Sequence, residues 1–313
     1  MDGVPMTRLI PALLAFLLLL APARAELLDA TPRTAVMSAF APELVTLLAS
    51  TKDKRVISVH GVDFTLGTLA GRPVVLVLSG VSMVNAAMTT QMLLDRFKVD
   101  ALLFSGIAGG LDPHLHIGDV AVPRRWGQYL ESHFVREGAD GTLKPVPWAS
   151  LPYPAYGVIQ PSNAYVRVPG KAEPIRKFWF EADAGLLALA EKAVAGVKLD
   201  KCAANKTCLE TSPKIVMGGD GVSGPAFMDN AGWRAYLNGT IGAKVVDMES
   251  AAVALVAEQN GVPYIIFRSV SDLAGADPDE NRIPTFMALA SSNAAKLVTA
   301  MLEAMRFSAP PAP

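Results

Sequence analysis

Four apolar runs, each closing on glycine or polar residues and interleaved with helical periodicity, restrict this chain more than any other feature. They fall at residues 74–78 (behind Pro73), 101–104, 245–246 and 264–267 (behind Pro263). Continuous Val, Leu and Ile without polar alternation marks a strand covered on both faces. Residues 85–97, 250–259 and 286–307 carry apolar side chains at helical spacing, as do 43–49 and 182–194. Residues 56–69 alternate around Gly61 as two half-buried strands, and 214–217 form another short strand. Strand and helix in alternation, with no internal repeat, predict an α/β fold. The expected form is a three-layer α/β/α sandwich around a central twisted, mostly parallel mixed sheet. Ligands bind such sheets beyond the carboxyl ends of the strands, so the chemistry is sought just after the apolar runs.

A chain of 313 residues can bury a large core. Its 28 Lys plus Arg against 29 Asp plus Glu leave a formal net charge of −1, no electrostatic footprint for nucleic acid or an anionic membrane. A small, weakly charged ligand fits better. Residues 1–25 read as a signal peptide: Arg8, an apolar run at 9–21, then Ala23-Arg24-Ala25 as the small-x-small cleavage pattern. That run is too short to span a bilayer core of roughly 30 Å, so an exported, periplasmic or secreted protein is expected, with no membrane contact after cleavage. An uncleaved anchor is the alternative. Cys202 and Cys208 are the only cysteines and are expected to close a small surface loop by a disulfide in an oxidising compartment. His60, His114, His116 and His133 are not grouped with them, and no metal site is expected. Residues 122–180, rich in proline and aromatic residues, read as an excursion of loops and short strands held to the core by Trp126, Trp148 and Trp179.

Four segments could carry chemistry. Arg268-Ser269-Val270-Ser271-Asp272 places two charges directly after a buried strand, where they are costly unless paired or used; a salt-bridged strand end is the plain alternative. Asp247-Met248-Glu249 precedes a helix that Ser250 or a carboxylate could cap, and capping alone would explain it. Gly106-Ile107-Ala108-Gly109-Gly110 reads as a strand-to-turn cluster that lets backbone approach a ligand. Gly218-Gly219-Asp220-Gly221, followed by Phe227-Met228, is a weaker signal of the same kind.

Ordered along the chain, the four segments resemble the purine and uridine phosphorylase superfamily. They are most similar to its 5′-methylthioadenosine/S-adenosylhomocysteine nucleosidases. The blocks that carry the resemblance are residues 105–111 with Ile117-Gly118-Asp119-Val120, residues 246–252, and residues 267–272. The resemblance runs from about residue 35 to 302 and is faintest between 122 and 200; it implies that residues 26–313 form a single domain. It further implies that Asp272 protonates or hydrogen-bonds purine N7, that Glu43 activates the attacking water, and that Arg268 helps place both. Glu249 would hold the ribose hydroxyls with Met248 against the sugar. Phe227 would stack on the base, Met228 would meet its edge through the backbone, and Val81 would line the sugar side. Ile107, Ala108, Gly109 and Ser271 complete the expected substrate contacts.

The implied reaction is hydrolysis of the N-glycosidic bond of a purine nucleoside, without metal or cofactor. Phosphorylases of the superfamily carry an early Gly-Asp-Pro-x-Arg loop whose arginine grips phosphate. Residues 38–43 offer no arginine and place Glu43 there, and Arg33 is read as lying before the strand and pointing elsewhere. A phosphate-dependent nucleoside phosphorylase and a non-catalytic nucleoside-binding or storage protein, like the plant bark storage proteins, stay open as alternatives. Two departures stand out: Ile107 occupies a position where the nucleosidases have serine, and residues 275–282 are unusually acidic, as a lid or a solvated loop. A homo-oligomer, at least a dimer, is expected by the same resemblance.

Overall fold

The computed structural model describes residues 26–149, 152–168 and 170–308; the expected signal peptide and Pro169 of the excursion lie outside the described residues. Twelve strands form one sheet. They are β1 (Asp29–Ser38), β2 (Lys52–Val59), β3 (Val62–Leu69), β4 (Arg72–Leu78), β5 (Phe97–Gly110) and β6 (Val120–Val122). The rest are β7 (Arg125–Gln128), β8 (Trp179–Glu181), β9 (Ile215–Met217), β10 (Asp220–Ser223), β11 (Ala243–Asp247) and β12 (Tyr264–Asp272). Helices α1 (Ala41–Ser50), α2 (Met83–Arg96), α3 (Ala184–Val194), α4 (Ala231–Tyr236), α5 (Ser250–Gln259) and α6 (Ile283–Ser308) flank it.

Parallel β4, β1, β5 and β12 make the centre of the sheet, and their alternation separates two cores. Ala35, Met37, Val75, Val77, Leu102 and Phe104 turn toward Ala86 and Leu93 of α2 and Val253 of α5. Val36, Val74, Leu76, Ala101 and Leu103 turn the other way, toward Leu44 and Leu47 of α1, Ala190 of α3 and Val298 of α6. Burying a Val or Leu side chain contributes about 1.5–3 kcal/mol, so neither face could be left to water. This is the three-layer sandwich expected from the apolar runs.

The functionally decisive feature is a fork at the end of β5. Gly109 and Gly110 pair antiparallel with Val246 and Val245 of β11, while β5 as a whole runs parallel to β12 with Asp272 in register with Gly109. The ends of β11 and β12 are thereby drawn to one point. This corrects the reading of the glycine cluster as a turn, because β5 continues through Gly110. Arg268 and Asp272 likewise lie inside β12, not after it. The physical reason for Gly106 is space: a Cβ there would collide with Arg268 Nη1 and Glu43 Oε1.

The excursion contains short antiparallel pairs, Ser132–Phe134 with Ile159–Pro161 and Ala164–Val166 with Ile175–Lys177 among them. It is held by aromatic contacts with α4: Tyr156 lies 4.7 Å from Trp233 and 5.2 Å from Tyr236 between ring centroids. Trp126 is fully buried, and Trp179 stacks under Arg125 at 4.5 Å. Trp148 does not anchor the excursion, being 74% exposed. Arg33 belongs to β1 rather than preceding it, and pairs with Asp29 at 2.9 Å, so it does point away from the strand ends. Cys202 and Cys208 are joined by a disulfide across an isolated antiparallel bridge. Among the described residues no helix is long and apolar enough to cross a membrane.

Candidate active site

At the fork, β1, β4, β5, β11 and β12 end around a cavity of about 320 Å³. Its lining includes the carboxylates of Glu43, Asp247, Glu249 and Asp272. Glu43, Glu249 and Asp272 come from α1, the β11–α5 junction and β12, so residues far apart in sequence share one space. Val81, Ile107, Ala108, Gly109, Phe227, Met228, Met248 and Ser271 line it as well. Arg268 does not. Its side chain is wholly buried behind the wall, with Nε 2.7 Å from Asp247, Nη1 3.7 Å from Glu43 and Nη2 3.6 Å from Glu249. Its guanidinium carbon also sits 4.2 Å above the centre of the Phe104 ring.

Each carboxylate is fixed by backbone. Glu43, in the first turn of α1, reaches back to the N–H groups of Ala39 at 2.7 Å and Phe40 at 3.3 Å. Its other oxygen accepts the Ile107 N–H at 2.8 Å. Burial raises its proton affinity, opposed by Arg268 and these three donors. The capping of α5 falls to Asp247, whose Oδ1 accepts the N–H groups of Glu249 and Ser250 at 3.2 and 3.1 Å. That leaves the Glu249 side chain free to face the cavity, where Oε1 accepts the Ser82 N–H at 2.8 Å. Burial first, and the neighbouring Asp247 second, push Glu249 up to about 7. Asp272 is also raised by burial, against donors from Ala274, Ser271 and Asn281.

Two of the donors come from strained backbone. Ser82 has φ +78 and Ala274 φ +52, conformations that non-glycine residues rarely adopt. Such strain persists where surrounding structure holds it, often at functional sites. Here it turns an N–H toward Glu249 in one case and Asp272 in the other.

Sequence reasoning did not single out Ala39, Phe40, Ile283 or Met287, which add apolar wall. Ala39 and Phe40 stood beside Glu43 in the loop already considered, whereas nothing local marks Ile283 and Met287, which arrive on α6. Asp247 was visible in the 246–252 block but was read only as a possible cap. Asn281 carries no sequence signal at all. Residues 277–280 of the acidic loop do not line the cavity.

A model of the Phosphorylase superfamily matches residues 33–303. The chain belongs to that superfamily. It is 30% identical over 271 residues to a 5′-methylthioadenosine/S-adenosylhomocysteine nucleosidase of Geobacillus thermodenitrificans (strain NG80-2), covering 86% of this chain and 96% of that one. Among solved structures it is similar to the nucleosidase of the same description from Neisseria meningitidis in complex with methylthio-immucillin-A. There the TM-score is 0.64 at 26% identity, over 87% of this chain and 98% of the other. The futalosine hydrolase of Helicobacter pylori strain 26695 shares the fold, with TM-score 0.62 at 22% identity over 87% and 97% of the two chains. The matched span encloses all the sequence blocks that carry the resemblance.

Proposed function

We propose that this phosphorylase-superfamily member is a purine nucleosidase of the 5′-methylthioadenosine/S-adenosylhomocysteine type, which hydrolyses the N-glycosidic bond and releases the base. One observation carries the choice of water over phosphate: every charged side chain lining the cavity is a carboxylate. A phosphate dianion entering there would meet like charge, and Arg268, the nearest cation, is buried behind three acidic partners.

In this reading Glu43 takes a proton from water as the water oxygen attacks C1′. The C1′–N9 bond breaks, and Asp272 gives its proton to N7, so that the base departs neutral. Positive charge that develops on the ribose faces Glu43 and Glu249, while the negative charge of the purine is cancelled at Asp272. Burial raises the proton affinity of Asp272, the direction a general acid requires. Glu249 receives the ribose hydroxyls, Met248 packs on the sugar, and Val81 borders it. Phe227 and Met228 cover the base, with Ile107, Ala108, Gly109 and Ser271 forming the floor. Arg268 acts through Glu43 and Glu249, holding them rather than touching substrate. Ile107 brings no hydroxyl, and its contribution to Glu43 is the backbone N–H.

Incubating the mature protein with methylthioadenosine, S-adenosylhomocysteine, adenosine, inosine and uridine, with and without phosphate, tests the reading. Free base and reducing sugar without phosphate are expected; phosphate-dependent ribose 1-phosphate, or binding of adenine without turnover, would replace it by one of the other readings. We also propose that residues 1–25 direct export to the periplasm or medium, which N-terminal sequencing of the mature chain checks. A dimer is the proposed assembly. It is supported by exposed Val81, Val84, Met88 and Phe227, apolar side chains at the mouth and on the first turns of α2 that a partner would cover. Sedimentation measures it.

A further inference from the structure

Asp272 is held by a residue that no motif marks. Its Oδ1 accepts the Ala274 N–H at 2.9 Å and Asn281 Nδ2 at 3.3 Å, and its Oδ2 accepts the Ser271 hydroxyl at 2.9 Å. The Asn281 amide is oriented from its other end, where Oδ1 accepts the Ile283 N–H at 3.0 Å as α6 begins. The NH₂ group must then face Asp272, and it also reaches Asp229 Oδ1 at 3.2 Å, next to Met228. The flipped amide would set an oxygen against two carboxylates, so this orientation is the one the network dictates. The loop that supplies Asn281 is docked closely: Gly275, with φ +93, lies where a Cβ would run into the Asn230 backbone.

We infer that Asn281 is a positioning residue for Asp272, tying the acidic loop and the segment around Met228 to one carboxylate oxygen so that the transferable proton resides on the other. The inference rests on Asp272 being the proton donor of the proposed reaction. With Ala274 and Asn281 both donating to Oδ1, protonation there would oppose two donors, whereas Oδ2 meets one hydroxyl. That hydroxyl has a second acceptor, the Ala108 carbonyl at 3.4 Å, to which it can turn when Oδ2 is protonated.

The surrounding charges favour a neutral tether. Asp277, on the same loop, raises the proton affinity of Asp272. Asp229 lies beyond the amide, and Glu43, Asp247 and Glu249 line the shared cavity. Arg268 is engaged by those last three, and Arg282 lies over the Phe286 ring at 5.3 Å. Among the described residues no cation pairs with Asp272. A lysine or arginine in place of Asn281 would align the carboxyl equally well but would favour loss of the proton. An amide aligns it with a smaller pull on the proton than a cation would exert.

The experiment is the pH profile of kcat and kcat/KM for base release from methylthioadenosine, in the parent, Asn281→Ala, Asn281→Asp and Asp272→Asn, with Tm measured alongside. Asn281→Asp keeps an acceptor for the Ile283 N–H while replacing the donor to Asp272 by a carboxylate, so it separates the tether from the helix cap. Loss of the donor is expected to move the alkaline limb up by about half to one pH unit in Asn281→Ala and further in Asn281→Asp, with kcat down roughly tenfold. An unmoved limb in both variants, whatever happens to Tm, reduces Asn281 to a structural role and overturns the inference. A parent enzyme whose alkaline limb survives in Asp272→Asn, or that releases no base, overturns the acid assignment as well, a separate and recognisable failure.

Discussion

The two ends of the cavity hold their carboxylates by opposite means. At one, Glu43, Asp247 and Glu249 surround a single buried guanidinium, with Arg268 at 3.7, 2.7 and 3.6 Å. At the other, Asp272 pairs with no cation among the described residues and is bound by two side chains and one N–H, all neutral. At Glu43 and Glu249 a guanidinium opposes the rise that burial causes, whereas at Asp272 only neutral donors oppose it. In the proposed reaction one end faces the cation emerging on the ribose and the other faces the anion emerging on the base. Burial first and the neighbouring Asp247 second push Glu249 up to about 7, against the pull of the shared guanidinium.

The contrast can be broken most severely at the neutral end. Asp272→Asn should fold normally and lose about 10²–10⁴-fold in kcat, the contribution of a positioned proton donor; parental turnover in that variant would remove the acid from the scheme. At the charged end, Gly106→Ala should drive Arg268 and Glu43 apart. Disrupting a buried ion pair costs about 3–5 kcal/mol, so a steep fall in Tm together with activity is expected. A Tm equal to the parent's would mean that the guanidinium cluster tolerates rearrangement.

A pH experiment sharpens the comparison. Glu249 has a folded-state value of about 7, above its ordinary 4.5. The ionised form is therefore the disfavoured one: no penalty exists below about 4.5, it grows as pH rises to about 7, and it is complete above. Denaturation between pH 4.5 and 8 should show this loss of stability in the parent, and a flatter curve in Glu249→Gln. The same ionisation should make kcat/KM climb through about pH 7, because the anion is the form that accepts ribose hydroxyls. Smallest of all, Asp277→Asn keeps an acceptor for the Leu273 N–H but removes the charge that raises Asp272. The alkaline limb should fall by a few tenths of a pH unit, and a rise would reverse the sign of that interaction.

Legibility followed the range of the physics. Two-sided burial is written locally, as uninterrupted apolar residues at 74–78 and 101–104, and helical period is equally local, so 250–259 coincides with α5. Glu249 and Asp272 stand inside blocks that carry the resemblance, and Glu43 stands in the loop at 38–43 where the superfamily's phosphorylases have their arginine; all three line the cavity. The glycine cluster misled because glycine signals a missing side chain without saying why. A turn and a passage for Arg268 look alike in sequence. Trp148 misled in a similar way, since an aromatic residue in a proline-rich stretch reads as an anchor until its 74% exposure is seen.

Sequence alone determined the alternating elements, the family blocks and the acidic residues available, because periodicity and motif spacing are properties of neighbours along the chain. Tertiary structure decided what surrounds each carboxylate and so which influences act on its proton affinity. That depends on the fork at Gly109–Gly110, on Arg268 behind one wall, and on Asn281 meeting Asp272 across nine residues. Proton affinity is set by burial and by charges and donors within a few ångströms, and those distances exist only after the chain has folded.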